Sequence, residues 1–401
     1  MLLAGEVIER VSVGRDLAQP LMAGALAAVV GYASTFTLVL AALTASGASP
    51  QQAGSGLMTV CIALGLLNIV VSARVRLPVS FAWSTPAAAF LLTAGEPSGG
   101  FPAVAGSFLV AAGLILLTGL IRPLARLVAA IPGPIANAML AGMLLTLCMA
   151  PVRAVGEMPW MALPIIVAWG LGLRFARRFA VPLAVLVTGI VLATTTHLPP
   201  GALDGTWPTF VPVMPVFTQD AIIRIGLPIY VVTMASQNLP GIAVMQANGY
   251  ELNPSPLFVL TGLASAAAAL FGGHTTNLAA ITAAICAGPE AHPDPSKRWP
   301  APIAAGVVYL LMAGGASVAA AFIAASPPVL IQAVAGLALL SSLAAALYGA
   351  LAQEDSRLPA VLTFVTTVSG ITVLGVGAPF WGLLGGIAFL LLLRSERVVR
   401  S

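Results

Sequence analysis

Two polar stretches interrupt long apolar runs at comparable places in the two halves of this chain. Ala82-Trp83-Ser84-Thr85-Pro86 leads into the small-residue run Ala87-Ala88-Ala89-Phe90, and Gly273-His274-Thr275-Thr276-Asn277 leads into Leu278-Ala279-Ala280-Ile281. A bilayer tolerates broken backbone only where protein buries it or where it lines a cavity. A matched pair of interrupted segments in two halves is the best pointer in a sequence to a transporter's substrate site. The pattern predicts a secondary transporter whose cargo sits at the two breaks.

The runs themselves demand a lipid bilayer. Of 401 residues, 59% are hydrophobic and only 7% charged, against about 25% charged in a soluble domain. The apolar runs are continuous, which excludes the alternating pattern of a membrane β-barrel. The expected class is an all-α polytopic membrane protein. Met1–Asp16 carries Glu6, Glu9, Arg10, Arg15 and Asp16 ahead of the first long apolar stretch, so no cleavable signal peptide is expected. Fourteen segments divide the chain, near 18–44, 52–72, 79–95, 101–121, 133–152, 159–174, 180–197, 219–246, 255–272, 275–289, 300–324, 327–351, 358–376 and 378–393. The third and tenth are too short to cross as ordinary helices.

The basic residues test this division. With the N-terminus inside, the cytoplasmic pieces hold Arg10, Arg15, Arg74, Arg76, Arg122, Arg126, Arg174, Arg177, Arg178, Lys297, Arg298, Arg357, Arg394, Arg397 and Arg400, and the outside pieces hold Arg153 and Arg224 alone. Such a bias puts both termini in the cytoplasm of a multi-pass protein of the cytoplasmic (inner) membrane. The net charge of +4 therefore encodes orientation, not a nucleic-acid face. Cys61, Cys148 and Cys286 lie in apolar runs without ligand spacing, and no residue set calls for a metal or cofactor.

The halves echo each other beyond the breaks. Pro134–Gly142 resembles Pro328–Gly336 at an offset of 194, and Ala33-Ser34 and Gly47 match Ala235-Ser236 and Gly249 at 202. The breaks align Trp83 with His274 at 191. Seven segments per repeat is an odd number, so the second repeat must be inverted. The repeats are then 1–197 and 218–401, joined by a Pro- and Gly-rich extracytoplasmic linker, 198–217. Inverted repeats put a site near the bilayer midplane.

In that geometry two half-helices, in segments three and ten, point their N-termini at one another. Free amides and positive dipole ends favour an anion there. Ser84, Thr85, Thr275, Thr276 and Asn277 add donors, or serve as helix caps. All 13 acids fall in loops, termini or segment ends, and no basic residue is expected to be buried. A cation would find no counter-charge and an anion no ion pair, which suits a weakly hydrated, partly apolar monoanion. Tyr32, Phe81, Trp83, Phe90, Phe271 and the Gly272-Gly273 gap are available to frame a flat ring, or simply to pack. His274 is the sole histidine expected inside the membrane; with an ordinary pKa of about 6.5 it can carry a proton, bond the substrate or serve structure. Ser236-Gln237-Asn238-Leu239-Pro240-Gly241 in segment eight is a third interruption. There Gln237 and Asn238 line the cavity or bond across helices, and Pro240-Gly241 loosens the helix.

Gly31-Tyr32-Ala33-Ser34, Ser80-Phe81-Ala82-Trp83-Ser84-Thr85-Pro86, Ser236-Gln237-Asn238-Leu239-Pro240-Gly241 and Gly272-Gly273-His274-Thr275-Thr276-Asn277-Leu278-Ala279-Ala280-Ile281-Thr282 together resemble the benzoate:proton symporter family of the BenE type, over roughly 18–394. The last motif is the most specific. The resemblance implies the seven-plus-seven fold of uracil permeases and sulfate-transporter-like carriers. In that fold a core of segments 1–4 and 8–11 moves against a gate of segments 5–7 and 12–14, and the substrate lies between half-helices three and ten. It implies uptake of benzoate or a similar aromatic carboxylate with protons, by an elevator-like motion, and a homodimer through the gate. Nucleobase carriers of that fold use glutamates in segments eight and ten, where this chain has Gln237 and Asn277. That argues against a nucleobase-type permease and leaves the proton carrier open. An organic-anion exchanger or uniporter is the first alternative. A channel would need a continuous polar pore, and an intramembrane enzyme a metal cluster, acid pair or activated nucleophile.

Overall fold

The computed structural model describes residues 2–121, 123, 131–175, 180–195, 207–289, 291–324, 326–373 and 376–400. Arg122, Arg126, Arg177, Arg178, His197, Asp204, Glu290 and the first part of the linker lie outside them. Helices occupy every apolar segment. Among the described residues, the departures from an all-α reading are two short antiparallel ladders, β1 (Phe81–Trp83) with β2 (Thr276–Leu278) and β3 (Thr372–Val373) with β4 (Val376–Gly377).

Pro50–Val75, Gly100–Leu120 and Gly133–Glu157 are each long and apolar enough to cross a bilayer, and Pro328–Leu351 reaches that length with a 45° bend after Leu337. At 1.5 Å per residue, the half-helices Thr85–Ala94 and Ile281–Ala287 span only about 15 and 10 Å. They are buried between longer neighbours. Leu2–Ala45 packs on Thr85–Ala94 and on Pro300–Ala313, Gly100–Leu120 on Pro254–Ala269, and Gly133–Cys148 on Pro328–Leu351. Pro50–Val75 meets Pro300–Ala313 at a glycine pair, where a Cβ on Gly306 would lie 2.7 Å from the Gly65 carbonyl oxygen. Only the absence of a side chain permits that approach. A separate apolar cluster joins Ala154, Ala162, Ile165, Ala184 and Leu192 to Leu330, Val334 and Leu337.

Segment eight is a helix with two π-turns, Ile222–Gly226 and Met234–Asn238. Each is followed within two residues by a proline, Pro228 or Pro240. Proline lacks an N–H and clashes with the carbonyl four residues back, so a widened turn accommodates it. Such π-bulges concentrate at functional sites, and the second one presents Ser236, Gln237 and Asn238.

Candidate functional site at the crossing of the two breaks

The two breaks meet as a ladder. Phe81 faces Leu278, Ala82 faces Asn277 and Trp83 faces Thr276. Beyond its ends, Ser84 N–H donates to the Thr275 carbonyl at 3.1 Å and Ala279 N–H to the Ser80 carbonyl at 2.9 Å. These two bonds exchange under a local two-fold axis that relates Ala82 to Asn277, an offset of 195. The sequence alignment at 191 is therefore corrected by four residues. The reason is that Thr276–Leu278 is extended and the second half-helix starts only at Ile281, so Thr276 and Asn277 are strand residues, Thr275 lies just ahead of them, and none of the three is its N-terminus.

Side chains of neighbouring helices meet outward backbone groups of Phe81, Thr276 and Leu278 in the ladder. Asn68 accepts from Phe81 N–H and donates to its carbonyl, both at 3.0 Å. Ser265 does the same for Thr276, at 2.9 and 3.2 Å. Asn238 Oδ1 accepts from Leu278 N–H at 2.9 Å, and its amide contacts the Met234 sulfur. Each group left unmet in a bilayer costs several kcal/mol, which accounts for these polar residues on apolar helices.

The first break is closed on itself. Ser84 Oγ caps Thr85–Ala94 by accepting from Ala87 N–H, and its carbonyl accepts from Ala88 N–H. Pro86 has no N–H to offer. The half-helix thus presents far fewer free amides than the sequence reading assumed. Ser84 Oγ also accepts from Thr233 at 3.0 Å, and Thr233 lies 3.2 Å from Thr275 Oγ1, so one buried hydroxyl chain ties segments three, eight and ten. Trp83 Nε1 donates to Thr35 Oγ1 at 2.8 Å. Its ring meets Tyr32 and Tyr309 edge-on, with centroids 5.6 and 5.9 Å apart, and Tyr32 stacks on Phe36.

The second break is left open. Among the described residues, both ring nitrogens of His274 and the Asn277 Oδ1 are buried without a well-formed hydrogen bond, as is Ser236 Oγ, while Ser80 Oγ lies against the Cys286 thiol. The His274 ring comes within loose hydrogen-bonding reach of the Ser84 backbone, a contact too poorly aligned to satisfy it. Gln237 is half-buried beside Asn238. No side chain caps the half-helix Ile281–Ala287. Thr276 is turned away from this opening, its hydroxyl within bonding distance of Ser265 and of the Thr261 carbonyl. Gly273 is enclosed, since a Cβ there would lie 2.8 Å from Val60 and 2.9 Å from Ala268.

The structure thus brings Tyr32, Trp83, Ser84, Thr275, Asn277 and His274 to one crossing, with Thr85 half-buried at the start of its helix. It separates Phe271 from them. That ring pairs with Phe210 at 5.4 Å and lines an apolar groove with Leu66 and Leu260. Sequence reasoning missed Thr35, Asn68, Thr233, Ser265 and Tyr309. Asn68, a lone amide inside an apolar run, carried the clearest signal. It also missed Arg298, which is buried (5% exposed) at the end of the second half-helix. Nearby, hydrogen bonds from Ser296 hold the exposed Asp294 carboxyl below the usual range.

The family model of the benzoate membrane transport protein, BenE, matches residues 17–392. The chain is 39% identical over 378 residues to the inner membrane protein YdcO of Escherichia coli, covering 93% of this chain and 95% of that protein. It is 31% identical over 379 residues to the benzoate membrane transport protein of Acinetobacter baylyi, with 94% and 95% covered. In fold it is similar to the transmembrane domain of a cyanobacterium bicarbonate transporter, BicA, with a TM-score of 0.63 at 18% identity over 93% of this chain and 98% of that one. It is also similar to the murine Solute Carrier 26 family member A9 anion transporter, with a TM-score of 0.63 at 12% identity over 95% and 69%. With its helices, its buried crossing and a match over nearly its whole length, the chain is a membrane transporter and not an enzyme, and it belongs to the BenE family of benzoate membrane transport proteins.

Proposed function

We propose that this protein imports benzoate or a similar aromatic carboxylate together with protons, with the carboxylate held at the second break and the ring against Tyr32 and Trp83. The observation that carries the reading is the set of orphaned buried groups there: His274 Nδ1 and Nε2, Asn277 Oδ1 and Ser236 Oγ. Buried polar atoms are almost always hydrogen-bonded, and the exceptions call for a ligand or a functional role. His274 and Ser236 can donate to a carboxylate, as can the amide of Asn277 after reorientation and the side chain of half-buried Gln237. Ser84, Thr85 and Thr275 complete the polar wall, while Asn238, Gly273 and Thr276 keep the ladder in shape. The aromatic cluster supplies an apolar slot for the ring.

In this reading His274 takes up a proton with the anion, and the pair crosses the membrane electrically neutral. The fourteen segments form two inverted repeats with both termini cytoplasmic. The separate cluster of 154–192 with 330–337 supports a gate that stays in place while the core carries the site past it, and the gate is the surface for a homodimer. The test is the initial rate of labelled benzoate uptake into proteoliposomes, with protein-free liposomes as the control because neutral benzoic acid crosses lipid unaided. Gradient-driven accumulation above that control is expected. Exchange without accumulation would point instead to an organic-anion exchanger, and no uptake at all would overturn the assignment.

A further inference from the structure

Each half-helix ends on an arginine that the substrate reading does not use. At the far end of Thr85–Ala94, Arg224 Nη2 donates to the carbonyl of Ala94, the helix's last residue, at 3.3 Å. At the far end of Ile281–Ala287, Arg298 Nη1 donates to the carbonyl of Ala287, again the last residue, at 2.7 Å. The two arginines come from different settings. Arg224 lies in the first π-turn of segment eight, with its side chain one-third exposed and paired with Asp220 at 3.5 Å. Arg298 comes from the loop after segment ten; it also donates to the His292 and Pro293 carbonyls at 2.7 and 3.2 Å and meets the Tyr250 hydroxyl. Both guanidiniums satisfy a terminal carbonyl that has no intrahelical donor, and both put positive charge where the peptide dipoles are negative.

We infer that Arg224 and Arg298 are paired positioning residues: they hold the outer ends of the two half-helices so that their inner ends stay fixed around the substrate. The inference rests on the proposed carboxylate site for its electrostatic part only. A unit charge about 10–15 Å from a bound anion, at an effective dielectric of about 20, changes affinity about tenfold. Arg298, buried and with no carboxylate among its bonded partners in the described residues, has the larger effect. The Arg224 charge is screened by solvent and by Asp220.

The test has two arms on the intact protein in nanodiscs. Hydrogen exchange followed by mass spectrometry reads the anchors: R298Q raises exchange in peptides covering 281–288 and leaves 85–95 unchanged, R224Q does the reverse, and R298K stays close to the parent. Calorimetric titration reads the charge: R298Q binds benzoate about tenfold more weakly and benzamide, the neutral isostere, as before, while R298K restores benzoate. Unchanged exchange in both glutamine variants, or equal losses for benzoate and benzamide, would overturn the inference. If the parent protein binds neither compound, the substrate assignment fails, and the exchange arm still decides whether the arginines anchor the half-helices.

Discussion

The two breaks share a backbone plan and are finished differently. In the first, Ser84 caps its own helix, receives Thr233 and gives the ladder its N–H, while Trp83 is bonded to Thr35 and wedged between two tyrosines. In the second, the half-helix starts uncapped, and His274 and Asn277 bury three polar atoms without partners. A fully satisfied polar group rigidifies its surroundings, and a half-satisfied one is costly unless something else meets it. In the proposed function, the first break is the fixed wall of the site and the second is the part that meets cargo and proton.

The largest effect expected from this contrast is at His274. His274→Ala abolishes proton-driven accumulation in proteoliposomes while counterflow of labelled against unlabelled benzoate persists. Unchanged accumulation would remove His274 from the coupling. Next comes Asn277→Leu, which removes a hydrogen bond to a charged ligand worth about 1.5–3 kcal/mol and weakens benzoate binding about 10- to 100-fold. The change removes an unpartnered side-chain oxygen together with the long 3.3 Å bond from Asn277 Nδ2 to the Leu278 carbonyl, so thermal stability should change little, and a loss of stability without loss of binding would reverse the reading. Ser265→Ala works the other way. It strands the Thr276 N–H and carbonyl at a cost of about 1–3 kcal/mol, seen as a lower unfolding temperature with little change in benzoate affinity. The smallest effect is Ser84→Ala, about 1 kcal/mol from the lost cap; an effect on binding larger than that of Asn277→Leu would make the first break the ligand-bearing one.

Much of this was legible in the residues. Continuous apolar runs fixed the class, and Pro86 after Ser84 fixed the start of the first half-helix, because a capping serine followed by an early proline is a strong local signal. The start of the second was misread by several residues. Thr275, Thr276 and Asn277 are good caps by composition, but they lie opposite Ser84, Trp83 and Ala82, and cross-strand bonding at that distance in sequence leaves no local trace. Asn238 and Thr276 were recognised as polar residues in a membrane without any sign of whether ligand or backbone would meet them; the structure gives both to backbone. Arg298 escaped notice because a basic residue in a short loop usually marks orientation, and here it is folded onto a helix end.

The most direct measurement is a structure of the protein with 4-bromobenzoate, in which the bromine marks the ligand. Density with the carboxylate against His274 and Asn277 and the bromine toward Tyr32 and Trp83 is the predicted result. Density elsewhere, such as the apolar groove beside Phe210 and Phe271, with the crossing empty, would contradict it.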